Sequence, residues 1–219
     1  MALLHVQQLI QASVSVDNTL KESLSKQTQE LAQSLVLTQN NDGGWSNLFE
    51  NESDPKTSAI ISWALKLSET LNGEGSSESL ILAMDYMINK IESPESFEES
   101  SQYDQLAILY FVVKFLDNEK INPTLLIPYL ELFSTEGKIF LSMALDINDR
   151  GNSQSRAIIK DIERNFNIVN NEFLGENNRF STERTNTPIS RVALLIYATS
   201  IIDPASMILD AAIPLIMSA

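Results

Sequence analysis

The chain has no cysteine, and it has only one histidine and seven glycines in 219 residues. Without cysteine, its own residues cannot form a disulfide, a thiolate nucleophile or a cysteine-ligated zinc site. The one histidine, His5, lies among apolar residues, and no serine–aspartate motif accompanies it. A structural or exposed position is therefore favoured for His5 over a role as general base.

Long apolar runs are also lacking, since no stretch reaches the roughly 18–20 residues that a membrane-spanning helix needs. The N-terminal sequence MALLHVQQLIQA has no basic leader and carries polar residues inside its apolar run. It is interpreted as an amphipathic helix and not as a signal peptide. No membrane insertion by this chain is predicted.

Positive charge is scarce, because 15 basic residues stand against 29 acidic ones, which gives a net charge of −14. Such a field repels phosphate backbones and anionic lipids, so nucleic acid is excluded as an expected partner. Hydrophobic residues make up 43% of the chain and charged residues 20%, as in ordinary globular proteins. No cofactor, metal site or catalytic group is predicted.

Apolar residues recur at helical spacing along most of the chain, whereas the period-two alternation of half-buried strands is nearly absent. The pattern predicts an all-α protein of about ten helices. Apolar residues within 3–10, 20–39, 59–67 and 80–91 mark the first four helices, and the others cover about 101–117, 123–132, 135–148, 153–168, 187–201 and 204–217. Four of them are predicted to begin at a proline preceded by a capping side chain, at Asp54-Pro55, Asn122-Pro123, Thr187-Pro188 and Asp203-Pro204.

The helices are expected to form antiparallel hairpins that resemble one another. Residues 45–67 and 179–200 each have an aromatic-serine pair, a polar loop, a cap and an alanine-containing apolar helix. Imperfect repeats of roughly 40 residues built from helix pairs indicate a solenoid or a closed toroid. We therefore predict a single α/α-toroid domain over residues 1–219, with about five hairpins of an incomplete six-hairpin barrel.

The sequence TQNNDGGWSN, residues 38–47, is the most distinctive stretch between two predicted helices. Gly43 and Gly44 are predicted to supply a positive φ or a close backbone approach where the long helix ends. Asp42 is expected to bond nearby backbone and Trp45 to fill the gap between hairpins. Together with Gln39, these residues are predicted to form a structural corner.

Two other stretches offer weaker candidate sites. Asp146-x-Asn148-x-Arg150-Gly151 is similar to the start of a calcium loop, but Arg150 stands at a ligand position and Ala157 replaces the bidentate glutamate. An interhelical turn is favoured there. The acidic segment 92–99, ESPESFEE, is interpreted as a solvated linker.

The corner Gln39-x-x-Asp42-Gly43-Gly44-Trp45 resembles the repeat motif of terpene cyclases and protein prenyltransferases, which use an α/α barrel. Their chemistry is not carried over: the chain lacks the Asp-x-Asp-Asp acid motif, the Asp-Asp-x-x-Asp magnesium motif and the cysteine of the zinc set.

The chain as a whole resembles the thioester-type helical domain of the alpha-2-macroglobulin and complement family, especially its bacterial members. LAQSLVLTQNNDGGWSN, DPKTSAIISWALKL, QYDQLAILYFVVKFLDNEKI, EGKIFLSMALDINDRGNSQSRAIIKDIE and TNTPISRVALLIYATSIIDPASMILDAAIPLIM carry the resemblance. It implies a non-enzymatic domain of a periplasmic or extracellular protein that traps proteases. Its implied partners are neighbouring β-sandwich domains of the parent chain and, through the parent, proteases.

The thioester motif of that family, Cys-x-Glu-Gln, does not occur in this chain. Either the motif lies just upstream and the chain is a fragment of a larger protein, or the parent belongs to a thioester-less branch. An incomplete toroid is expected to leave an exposed apolar seam.

Two alternatives remain open at this point. One is an α/α-barrel enzyme, terpenoid cyclase-like or polysaccharide lyase-like, that acts on a substrate in the central cavity. The other is a plain interaction scaffold of helical repeats.

Overall fold

The computed structural model describes residues 18–47, 51–72, 77–92, 100–116, 121–167, 172–173 and 188–209. These residues are predominantly helical, which confirms the all-α prediction. The α-helices are α1 (Asn18–Leu37), α2 (Pro55–Asn72), α3 (Ser77–Glu92), α4 (Ser100–Phe115), α5 (Thr135–Asn148), α6 (Ser153–Asn165) and α7 (Pro188–Ile202). A 3₁₀ helix (Pro123–Leu132) precedes α5, and two-residue strands β1 (Phe166–Asn167) and β2 (Glu172–Phe173) pair antiparallel after α6.

The chain divides into two compact units, of which the first comprises residues 1–94 with 115–118. In this unit α2 packs on α1 and on α3. Small side chains on α2, namely Ser58, Ala59 and Ser62, are fully buried, which lets neighbouring backbones approach closely. Trp63 and Leu67 lie beside them in the core. The apolar face of α2 therefore forms the centre of the first unit.

The second unit comprises residues 95–114 with 119–219, and α5 is its central helix. The 3₁₀ helix, α6 and α7 all pack on α5. Residues 139–146 of α5 are buried without interruption, as expected of a helix enclosed on all sides. By contrast, α6 buries one apolar face, with Ile158, Ile159 and Ile162, and exposes the other. In α4, Phe111 places its ring 5.7 Å from that of Phe140.

Two of the predicted proline-initiated helices have the expected caps. The Asp54 carboxylate accepts a hydrogen bond of 2.6 Å from the Thr57 N–H, and α2 begins at Pro55. Asn122 caps the segment that begins at Pro123 in the same way. That segment is a 3₁₀ helix with Pro128 inside it; proline supplies no N–H and crowds the preceding turn, so an α-helix is disfavoured there.

The prediction that a helix begins at Pro204 is wrong. Pro204 and Ala205 lie in a turn, closed by a 2.9 Å hydrogen bond from the Ser206 N–H to the Asp203 carbonyl, and helical residues begin at Ile208. The fixed φ of proline suits the second position of such a turn as well as it suits a helix start. Residues 210–217 of that predicted helix lie outside the described residues.

A second boundary also differs from prediction, because α6 ends at Asn165 and the chain continues into β1 instead of remaining helical to residue 168. The predicted helix at 3–10 and Thr187 lie outside the described residues. None of the helices in the described ranges has both the length and the apolar character that crossing a bilayer requires. Closure of the hairpins into a toroid stays a prediction, as does a single domain over residues 1–219.

Candidate functional site

The five residues predicted to form a corner lie together between α1 and α2. Trp45 is 1% exposed, Gly43 and Gly44 are buried, Gln39 is half-buried and Asp42 is exposed. All five belong to the first unit. We refer to residues 39–45 as the corner.

The Gln39 side chain joins the corner to the start of α3. Its amide nitrogen donates to the Ser79 carbonyl at 2.9 Å and to the Gly43 carbonyl at 2.8 Å. Its amide oxygen accepts a bond of 2.7 Å from the Ser79 hydroxyl. Both N–H groups and the oxygen are thus used within the protein, so that Gln39 fixes the distance between the corner and α3.

The Asp42 side chain closes the loop that leads from the corner to α2. Its Oδ1 accepts a hydrogen bond of 2.6 Å from the Ser53 hydroxyl and one of 3.1 Å from the Gly44 N–H. The Ser53 hydroxyl in turn accepts from the Asn40 amide at 2.9 Å. A hydrogen bond from the backbone N–H of residue i+2 to an aspartate side chain at residue i is typical of turns. The second bond, from the Ser53 hydroxyl, connects the two ends of the loop.

Trp45 lies at the meeting point of α1 and α2. Its indole N–H donates to the carbonyl of Leu35 in the last turn of α1 at 2.8 Å. Its backbone N–H donates to the hydroxyl of the fully buried Ser58 on α2, also at 2.8 Å. The indole N–H therefore joins the N–H and hydroxyl of Thr38 as a donor to this carbonyl, and the indole ring fills the space beneath.

Both glycines of the corner are required by their surroundings. Gly43 has φ +90°, and a Cβ atom there would overlap the Leu82 carbonyl of α3. A Cβ at Gly44 would lie 2.6 Å from the Cβ of Ser53. Gly43 therefore meets both conditions, a positive φ and a close approach, whereas Gly44 meets only the second.

Tyr86 on α3 is a further member of this region that the sequence did not indicate. Its hydroxyl donates to the Ser53 carbonyl at 2.8 Å, and its ring lies 5.7 Å below the Lys90 ammonium. Burial, together with the negative charges of Asp42 and Asp54, raises the pKa of the Tyr86 phenol. The phenol consequently stays a neutral donor at physiological pH.

A shallow polar cleft of about 470 Å³ opens beside the corner. Asn40, Asn41, Asp42, Asn51, Glu52, Ser53 and Lys90 line it. In the described part of the chain, histidine, aspartate and glutamate nowhere gather in a group of three that could hold a metal ion. The polar groups of the corner form hydrogen bonds with one another and with Leu35, Ser58 and Ser79. These bonds connect α1, α2 and α3.

The sequence similar to a calcium loop forms the turn between α5 and α6, which confirms the interhelical turn. Asp146 is 2% exposed; its Oδ2 accepts from Arg150 at 2.8 Å and its Oδ1 from the Gly151 N–H at 3.0 Å. Gly151 has φ +77°. The guanidinium of Arg150 thus stands where a calcium loop would place its cation.

The remaining sequence candidates are placed only in part. Glu92 is exposed at the end of α3, and residues 93–99 of the acidic segment lie outside the described residues, as does His5. Comparison of the chain with protein-family models, with curated proteins and with solved structures found no match. Similarity to the alpha-2-macroglobulin family stays a prediction.

Proposed function

We propose that this chain is a non-catalytic helical domain of a macroglobulin-like protein that traps proteases in the periplasm or outside the cell. The observation that carries the proposal is the bonding of the corner. Gln39, Asp42 and Trp45 direct their hydrogen bonds to neighbouring parts of the same unit. The corner, which lies in one of the five stretches that carry the family resemblance, therefore acts as a structural joint.

This bonding pattern suits a scaffold better than an active site. A catalytic or binding amide must keep hydrogen-bonding capacity for its substrate, but both N–H groups of the Gln39 amide donate within the protein and its oxygen accepts from the Ser79 hydroxyl. The Tyr86 phenol, a candidate acid or base by its type, has a raised pKa and donates to the Ser53 carbonyl. These groups stiffen the junction of three helices.

Stiffness is what a trapping protein requires of a domain that moves as a whole. When a protease cuts such a protein, its domains change position relative to one another, and rigid-body movement needs units that keep their internal packing. A junction in which α1, α2 and α3 share hydrogen bonds to the corner supplies that property. The neighbouring β-sandwich domains of the parent would then be the surfaces against which the domain packs.

The proposal is tested with the protein translated from the complete reading frame that contains this chain. The protein is incubated with trypsin, and the remaining activity is measured on casein and on a small chromogenic peptide. A trap encloses the protease without blocking its active site, so casein cleavage should fall while peptide cleavage persists. Trypsin inactivated covalently at its serine is the control, because it cannot cut and should not be retained.

Three outcomes contradict the proposal. Equal loss of both activities indicates an active-site inhibitor. No loss of either activity with trypsin, elastase or subtilisin, each tested in the same way, indicates that the protein does not trap proteases. A reading frame that consists only of these 219 residues would also contradict it, since no surrounding domains would exist to enclose a protease.

A further inference from the structure

The solvent-facing side of α6 carries a row of cations. Arg156, Lys160 and Arg164 are spaced four residues apart, and all three are exposed. Four residues of α-helix rise about 6 Å, so the row extends over roughly 12 Å. Ile158 and Ile162 are buried on the opposite side of the helix, which fixes the direction of the row. We call these three residues the basic row.

The basic row is only partly neutralised. The Lys160 ammonium lies 3.7 Å from the Asp203 carboxylate, whereas Arg156 and Arg164 form no ion pair in the described ranges. Glu163 is on the same helix, but its Oε1 accepts from Thr199 at 3.2 Å and from Ser206 at 2.9 Å. Asp161 is the one exposed carboxylate within the helix beside the row. Two guanidinium groups are thus available in a protein whose net charge is −14.

A shallow cleft of about 380 Å³ adjoins the C-terminal half of the basic row. Lys160, Glu163, Arg164, Met207 and Ile208 line it. Met207 is 85% exposed, so its side chain is accessible at the edge of this cleft. Two cations, the Glu163 carboxylate and an exposed apolar side chain therefore lie next to each other on one surface of the second unit.

We propose that the basic row and this cleft bind an acidic peptide segment of a partner protein. Carboxylates at every fourth position of a helix recur at about 6 Å, which matches the spacing of the three cations. An apolar side chain of the same segment would contact Met207 in the cleft. The inference does not depend on the proposed function, because it rests on α6 and residues 203–208 alone.

An acidic peptide fits this surface better than a nucleic acid does. At physiological salt the electrostatic field is screened over about 8 Å, so a short peptide responds mainly to the charges it contacts. A long polyanion covers more of the surface, where a net charge of −14 repels it. Guanidinium groups, moreover, pair well with carboxylates in bidentate geometry.

The test measures fluorescence anisotropy of a fluorescein-labelled synthetic helical peptide with glutamate at three positions spaced by four and with one flanking leucine. Saturable binding to the purified chain is expected in 50 mM NaCl, and it should weaken about tenfold in 300 mM NaCl because the contacts are ionic. The same peptide with glutamine in place of glutamate should not bind. A double-stranded DNA of similar length should bind more weakly than the acidic peptide.

A matched pair of variants separates the row from the overall charge. Arg156→Glu/Arg164→Glu and Lys21→Glu/Lys26→Glu change the net charge equally, but only the first alters the basic row. The first should weaken peptide binding at least about tenfold and the second less than about twofold, since interactions beyond the screening length are small. Met207→Ser should weaken binding to an intermediate extent. Circular dichroism melts establish that each variant is folded.

The proposal is overturned by any of three results. The first is absence of saturable binding to the folded chain at millimolar peptide. The second is equal weakening by the two double variants, which would indicate the general field of the protein. The third is DNA binding as tight as peptide binding, which would indicate an unselective anion surface.

Discussion

Alanine at Gly43 and at Gly151 should have different costs, although both glycines have positive φ. Gly43 has φ +90° and Gly151 has φ +77°. At Gly43 the added methyl group would overlap the Leu82 carbonyl, a backbone atom within α3. At Gly151 the nearest atom would be the terminal Nη2 of Arg156, at the ordinary contact distance of 3.6 Å. Comparing the two substitutions therefore separates the cost of a positive φ from the cost of a close contact with a neighbouring backbone.

Both substitutions carry the same cost of holding a non-glycine residue at positive φ. A non-glycine residue held at positive φ costs about 1–3 kcal/mol, of which roughly 0.4–1 kcal/mol is returned because alanine restricts the unfolded chain. Overpacking adds about 1–3 kcal/mol at Gly43, because α3 cannot move its carbonyl without disturbing its helix. We expect a loss of about 2–5 kcal/mol for Gly43→Ala and of about 1–2 kcal/mol for Gly151→Ala.

Urea denaturation followed by far-ultraviolet circular dichroism measures both variants, since the signal reports helices of either unit. Fluorescence of Trp45 and Trp63, both in the first unit, gives an independent transition for Gly43→Ala. Equal costs for the two substitutions, or a larger cost at Gly151, would refute the assignment of Gly43 to a close approach against α3.

Substitutions at three further positions test the contacts described above, each by the same denaturation measurement. Asp54→Ala removes the cap on the Thr57 N–H and should cost about 1 kcal/mol, whereas Asp54→Asn should cost less, because asparagine also caps well. Asp146→Ala removes the acceptor of the Gly151 N–H and of a guanidinium and should cost about 1.5–3 kcal/mol; no loss would show that the turn does not need the carboxylate. Gln39→Ala leaves two carbonyls and a hydroxyl without their partner and should cost about 1–3 kcal/mol, and a neutral effect would contradict its bracing role.

Helix positions were largely predictable from the sequence because they depend on local periodicity and on local caps. The ranges 135–148 and 123–132 match the structure, and Asp54 caps α2 as expected. Errors arose where one local signal fits two structures. Asp203-Pro204 suits a turn as well as a helix start, and Pro128 changes the helix type without changing its limits.

The partners of the corner were less predictable, because they come from segments distant in sequence. Gln39 bonds Ser79, 40 residues away, and Tyr86 reaches the Ser53 carbonyl across 33 residues. No local pattern encodes these pairs. The need for glycine at position 43 follows from the approach of α3, which only the packed structure displays. Sequence motifs indicated that the corner is special; tertiary contacts explain what each of its side chains does.

The proposed function rests on the corner as the joint of three helices, and Trp45→Ala tests this most directly. Loss of a buried aromatic side chain should lower the unfolding free energy by about 3–5 kcal/mol. Trp45→Phe keeps most of the apolar volume but loses the bond to the Leu35 carbonyl, so it should cost clearly less. A cost below about 0.5 kcal/mol for Trp45→Ala, within the range of surface substitutions, would contradict the structural role of the corner.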